Sequence, residues 1–212
     1  MYLPINFDVF FIAPFNYYRT FAVHFIPKGG ETCQFPWRAF LCPLFILYYR
    51  SFFMFKPTYV FDKVGEITPD FLAKKHIKGL LLDLDNTLTT HNNPVPPQSS
   101  LDWLAKMKAA GIKLMIVSNN HAPRVKPFAE QLELDFVPEG KKPLTFGYTK
   151  AIAKLGLNKK NVAAVGDQIF TDVLGSNLKG IRSIFVFPIE LETSLPFRFK
   201  RACEKPFLPK LK

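Results

Sequence analysis

Cysteine is scarce in this chain: Cys33, Cys42 and Cys203 are three in number and widely spaced. That excludes a disulfide-framed scaffold, shows no zinc spacing, and points to a reducing, cytosolic compartment. Long apolar runs are missing too. The most hydrophobic stretch, "AFLCPLFILYY" (39–49), has 11 residues, contains Pro43 and lies between Arg38 and Arg50. A membrane-spanning helix needs about 20 apolar residues. The first residues lack the basic region and small-residue cleavage site of a signal peptide. Acids are outnumbered, 17 against 28 Lys and Arg, for a net charge of +11. That balance suits a polyanionic partner: nucleic acid, an anionic membrane surface or a phosphorylated substrate. There is no internal repeat and no low-complexity tract.

What is present is a 212-residue chain, 48% hydrophobic, enough for one domain with an appendage. The appendage is residues 1–53. It holds 17 of the 32 aromatics but only six charged side chains, and keeps neither helical nor strand periodicity. It reads as a membrane-surface segment, as an extension packed on the domain, or as a mis-assigned start. The last needs least, because residues 54–212 are expected to form a self-sufficient domain.

From Met54 onward, strands and helices alternate. Predicted strands are "GLLLDLD" (79–85), "IKLMIVSNN" (112–120), "LDFVPEG" (134–140), "NVAAVGD" (161–167) and "IRSIFVF" (181–187). Helices are expected over 67–79, 100–111, 122–134, 144–156 and 171–180, several closed by glycine. This is an α/β pattern with a parallel sheet, in which ligands bind beyond the carboxyl ends of the strands. Those ends carry Asp83 and Asp85, Ser118 and Asn119, Lys141 and Lys142, and Asp167. A buried strand has little use for two carboxylates, so Asp83 and Asp85 call for a neutralising divalent cation.

Each piece alone has an ordinary reading: an Asx turn at Asp85–Thr87, a loop start at Ser118, a solvated Lys142, a helix cap at Asp167. Together and in order, "DLDNTL" (83–88), Ser118 after "KLMIV", Lys142 before Pro143 and "GDQIFTD" (166–172) resemble motifs I to IV of the haloacid dehalogenase superfamily. The resemblance implies a Rossmann-like fold with a five-stranded parallel sheet, order 5-4-1-2-3, between helices. It implies Asp83 as nucleophile and Asp85 as acid and base. It implies Mg2+ held by Asp83, the Asp85 carbonyl and Asp167, with Asp172 in support or acting through water. Ser118 and the Asn119 N–H would bind phosphate, Lys142 would neutralise charge, and Thr87 would orient its loop by hydrogen bonding. Asp85, two residues after the nucleophile, favours phosphoryl transfer over dehalogenation.

The gaps from Asp85 to Ser118 and from Ser118 to Lys142 hold 32 and 23 residues, too few for a cap domain. The site is therefore expected to be open, as in the capless class III. Within it, "ITPDFL", "IKGLLLDLDNTL", "IVSNN", "GKKP" and "VGDQIFTDVLGSNLKG" are similar to the YqeG-type phosphatases and their mitochondrial phosphatidylglycerophosphate phosphatase relatives. That implies removal of the terminal phosphate of phosphatidylglycerophosphate, peripheral on the cytoplasmic face of the inner membrane. The alternatives are a soluble phosphometabolite or phosphoprotein as substrate, or an RNA- or ribosome-binding protein with a vestigial site. His76, His91 and His121 read as surface residues, and Trp103 as core. The tail "FRFKRACEKPFLPKLK" (197–212) reads equally as a solvated basic tail or as an anionic-lipid contact.

Overall fold

The computed structural model describes residues 53–90, 93, 95–190 and 193–208. The extension up to residue 52, His91, Cys33 and Cys42 lie outside the described residues. Six short strands alternate with helices: β1 (Tyr59–Phe61), β2 (Gly79–Leu82), β3 (Lys113–Val117), β4 (Asp135–Val137), β5 (Val162–Gly166) and β6 (Arg182–Val186). The helices are α1 (Pro69–Lys74), α2 (Gln98–Ala109), α3 (Ala122–Gln131), α4 (Phe146–Leu155), α5 (Leu174–Lys179) and α6 (Leu195–Glu204). The sheet order is β1-β6-β5-β2-β3-β4, and every pair is parallel.

The five expected strands are β2 to β6, in the expected order. The addition is β1, which extends the sheet beside β6. "YVF" is too short to show a period, and its place is fixed by distant partners. Thr58 N and the Ser183 hydroxyl lie 2.9 Å apart, as a donor and its acceptor.

The centre of the sheet explains its composition. β2 (GLLL) and β5 (VAAVG) are buried at every position, as strands covered on both faces must be. Successive side chains leave β2 on opposite faces. Leu80 and Leu82 join Trp103, Leu104 and Met107 of α2 and Val125 and Phe128 of α3 in one core layer. Leu81 joins Met115, Val117 and, from α4, Tyr148, Ala151 and Leu155 in the other. Trp103 is core, as expected, and donates its indole N–H to the Ile67 carbonyl at 2.8 Å.

Helix ends differ from expectation by a few residues throughout, and two of the differences have a clear local cause. α1 starts as predicted, with Thr68 Oγ1 accepting from Phe71 N at 3.2 Å and Pro69 at its first position. It stops at Lys74 instead of reaching Gly79. His76 takes the left-handed conformation (φ 53°), and Ile77 N returns to the Leu72 carbonyl at 2.8 Å, which closes the helix end. Gly79 opens β2, where a Cβ would lie 2.5 Å from Leu157 Cδ1. The second difference is the segment before α5. Ile169–Val173 forms a π-helical turn that leads into the α-helix. Among the described residues, no helix is long and apolar enough to cross a membrane.

Candidate active site

β2 lies at the middle of the sheet, so the chain leaving its carboxyl end is flanked by the ends of β3 and β5. Asp83 still belongs to the ladder through its N–H, which donates to the Val165 carbonyl at 2.9 Å. The chain then turns back sharply. Asn86 is left-handed (φ 61°), a conformation asparagine tolerates. Its N–H donates to the Thr89 carbonyl at 2.6 Å.

The turn separates the two aspartates. Asp83 faces Lys142, whose Nζ donates to its carboxylate and, at 2.7 Å, to Asp172 Oδ1. Asp83, Asp167 and Asp172 bring ligand oxygens within 4.8 Å of one another. Asp85 turns toward β3 instead. Its carboxylate accepts from Asn120 Nδ2 at 2.5 Å and from Arg124 Nη2 at 3.0 Å.

Charge is concentrated and dry here. Lys142, Asp167 and Asp172 are all buried. Burial pushes Asp83 up to about 8, against the pull of Lys142 and with the push of Asp172 and Asp167. Burial would depress Lys142, but the Asp172 and Asp83 carboxylates overcome it and raise it well above the usual lysine range. Three acids on one hard-oxygen cluster, with one of them reluctant to ionise, fit a divalent cation such as Mg2+. Thr87 adds to that fit. Its hydroxyl is buried and finds no hydrogen-bond partner among the described residues. The expectation that Thr87 orients its loop by hydrogen bonding is therefore corrected: the bond from Asn86 N–H to the Thr89 carbonyl closes this turn instead.

Motif II positions other side chains of the site. Asn119 clasps the backbone of Lys142, accepting from its N–H at 2.6 Å and donating to its carbonyl at 2.9 Å. Ser118 Oγ accepts from Asn120 N at 3.1 Å. A single pair of consecutive asparagines thus ties β3 both to the lysine and to Asp85.

Four participants were not singled out from the sequence. Arg124 lies on α3 and carried no motif. Asn120 stood inside a quoted motif without a role. Arg201 donates to both the carboxylate and the backbone carbonyl of Asp167, and Lys200 donates to Gln168. Their tail is a helix, α6, pinned further by Glu204, which accepts from Phe170 N at 3.2 Å. The solvated-tail reading is corrected for this inward face. His76 and His121 are exposed, as expected, and His121 pairs with Glu139 at 2.8 Å.

Comparison with known proteins agrees with this geometry. A family model for haloacid dehalogenase-like hydrolases matches residues 93–177, and one for mitochondrial PGP phosphatases matches 38–134. The probable phosphatase YqeG of Bacillus subtilis is 37% identical over 163 residues, covering 77% of this chain and 94% of the relative. The chain belongs to the YqeG-type haloacid dehalogenase-like phosphatases.

Solved structures similar to this YqeG-type phosphatase include a cobalt-bound deoxy-D-mannose-octulosonate 8-phosphate phosphatase from Haemophilus influenzae. It has 15% identity, covers 53% of this chain and 69% of that one, and has a TM-score of 0.44. Another is the 3-deoxy-D-manno-octulosonate 8-phosphate phosphatase of Moraxella catarrhalis, in complex with magnesium, phosphate and KDO. It has 22% identity, covers 49% and 65% of the two chains, and has a TM-score of 0.39. The YqeG-type assignment identifies a phosphatase acting on a phosphorylated substrate, at an edge that no inserted domain covers among the described residues.

Proposed function

We propose that this phosphatase uses Mg2+ to hydrolyse the terminal phosphomonoester of phosphatidylglycerophosphate, working peripherally on the inner membrane face. The observation that carries the chemistry is the buried Asp83–Lys142–Asp172 cluster beside Asp167. The lipid reading is supported by the match to the mitochondrial PGP phosphatase model.

Asp83 is the nucleophile. One carboxylate oxygen attacks phosphorus, and the bond from phosphorus to the ester oxygen breaks as the acyl phosphate forms. Asp85 gives the departing oxygen its proton. It then takes a proton from water, whose oxygen attacks the acyl phosphate. The phosphorus–Asp83 bond breaks and inorganic phosphate leaves. Ser118 and the Asn119 N–H hold the phosphoryl oxygens. Lys142, placed between two carboxylates, neutralises charge as it builds. Asp83, Asp167, Asp172 and the Asp85 carbonyl would hold the Mg2+. When bound, the ion offsets the acidic cluster and polarises a phosphoryl oxygen. Asn120 and Arg124 keep the Asp85 carboxylate in place.

The domain reading goes with this. All site residues, and the six strands found among the described residues, lie within 54–212, which we take as the catalytic domain. A soluble phosphometabolite or a phosphoprotein would use the same residues. A vestigial RNA-binding role fits poorly with an intact set of acids and lysine.

Phosphate release from phosphatidylglycerophosphate in mixed micelles, with Mg2+ and with chelator, tests the reading. Mg2+-dependent release at a rate well above that for soluble phosphomonoesters is expected. Preference for a soluble ester would transfer the assignment to the metabolite alternative.

A further inference from the structure

Among the described residues, nine large hydrophobic side chains are exposed. Scattered singly they would need no explanation. Their distribution is not scattered. All but Phe53 and Leu178 lie between the carboxyl end of a strand and the first turn of the helix it leads to, or on α6, whose Arg201 touches Asp167. Val95 is on the connection after β2. Leu144 and Phe146 follow β4 and open α4, and Ile189 follows β6. Leu195 and Phe199 stand four residues apart on α6, on the side away from Arg201 and Glu204. Leu144, Leu195 and Phe199 are 62%, 77% and 73% exposed.

Cations stand among them. Lys150 sits over the Phe146 ring at 4.4 Å, and Lys141 and Arg198 are exposed. Among the described residues, the exposed acids on these segments are Glu139, which is engaged with His121, and Glu190. Apolar tips with ammonium and guanidinium groups beside them match the boundary between acyl chains and anionic headgroups.

We infer that the catalytic edge is itself the docking face for an anionic lipid bilayer, with Val95, Leu144, Phe146, Ile189, Leu195 and Phe199 as its inserting rim. This deepens the proposed lipid-phosphatase reading and rests on it. The arrangement turns the Asp83 cluster toward the headgroups, so a phosphomonoester reaches the nucleophile without leaving the membrane. It also makes α6 a two-sided element, with one face against Asp167 and the other against lipid.

The test uses the full chain and vesicles of phosphatidylcholine, with or without phosphatidylglycerol. Wild type should sediment with the phosphatidylglycerol vesicles and release from them at high salt, which screens the charges. Leu144→Glu combined with Phe199→Glu should lower partitioning about tenfold, with turnover of soluble p-nitrophenyl phosphate unchanged. Leu178→Glu, near the end of α5 at the opposite edge, should bind like wild type. Should the double variant fail to fold, Leu144→Trp reports the same contact by a fluorescence blue shift on vesicle addition.

Equal losses in the rim and Leu178 variants, no blue shift, or absence of wild-type binding would overturn the inference. Self-association abolished by the rim pair, without vesicle binding, would mark a protein interface instead and overturn it too. The substrate reading fails separately. In that case docked wild type releases no phosphate from lipid phosphomonoester in the same vesicles.

Discussion

Arg201 reaches from α6 to Asp167, donating to its carboxylate and to its backbone carbonyl. Asp167 is fully buried, and the Arg201 side chain is 16% exposed. The C-terminal helix is therefore held to the catalytic edge by the same aspartate that is proposed to bind the cation. Taking one charge from a buried pair costs about 3–5 kcal/mol. Arg201→Ala should lose about that much stability in chelator, and less with Mg2+, which offsets the same carboxylate. Urea melts under the two conditions measure this, and identical melts for variant and wild type in chelator would refute it.

Asp83→Asn should abolish turnover and leave the fold intact, because shape is kept while the proposed nucleophile is removed. It should also change how stability depends on pH in metal-free protein. Asp83 is pushed from 3.8 up to about 8 by burial, so the folded state holds its proton more tightly than the unfolded state. Stability from this group is full at low pH and falls as pH rises from about 4 through about 8. Asp83→Asn removes that slope and should be the more stable protein at pH 7, by at most about 4 kcal/mol. Parallel stability curves for the two proteins across that window would contradict the assignment.

These two predictions draw on residues with very different legibility. The sheet centre was readable because β2 and β5 are apolar throughout, and the site because each motif ends a strand. β1 was not readable, since three residues carry no period and their register is set by Ser183, far along the chain. Arg124 and Arg201 were hidden for a related reason. Each sits on a helix with ordinary surface spacing, and only folding brings it to a carboxylate.

Asp85→Asn should hurt alkyl phosphates far more than aryl phosphates. A poor leaving group needs the proton, and an aryl oxide does not. We expect a loss on the order of 100-fold or more for alkyl substrates. Uniform losses across a leaving-group series would remove Asp85 from the acid role.

Turnover should require Mg2+, and Ca2+ should inhibit it. Ca2+ takes more oxygen ligands at longer distance, which favours capture of both Asp83 oxygens and blocks attack. Full activity after chelation, with metal content checked, would remove the cation from the reaction.

A chain beginning at Met54 should fold and hydrolyse a short-chain substrate. Among the described residues, this start of the chain is tied to the domain. Met54 and Lys56 carbonyls accept from Asn177 Nδ2 at 2.8 and 3.0 Å, and Phe55 packs on Phe170 and Phe207. Aggregation of this chain where the full-length protein stays soluble would place the first residues in the core.

Gly166, the last residue of β5, meets Asp172 so closely that a Cβ there would lie 2.5 Å from the Asp172 Oδ2. The constraint is one of volume, since this glycine needs no special backbone angle. One methyl group would displace the Asp172 carboxylate, which shares the Lys142 ammonium with Asp83. In a variant survey, Gly166→Ala would score as among the mildest exchanges possible. In this protein it is expected to cost activity as changes to the aspartates themselves would.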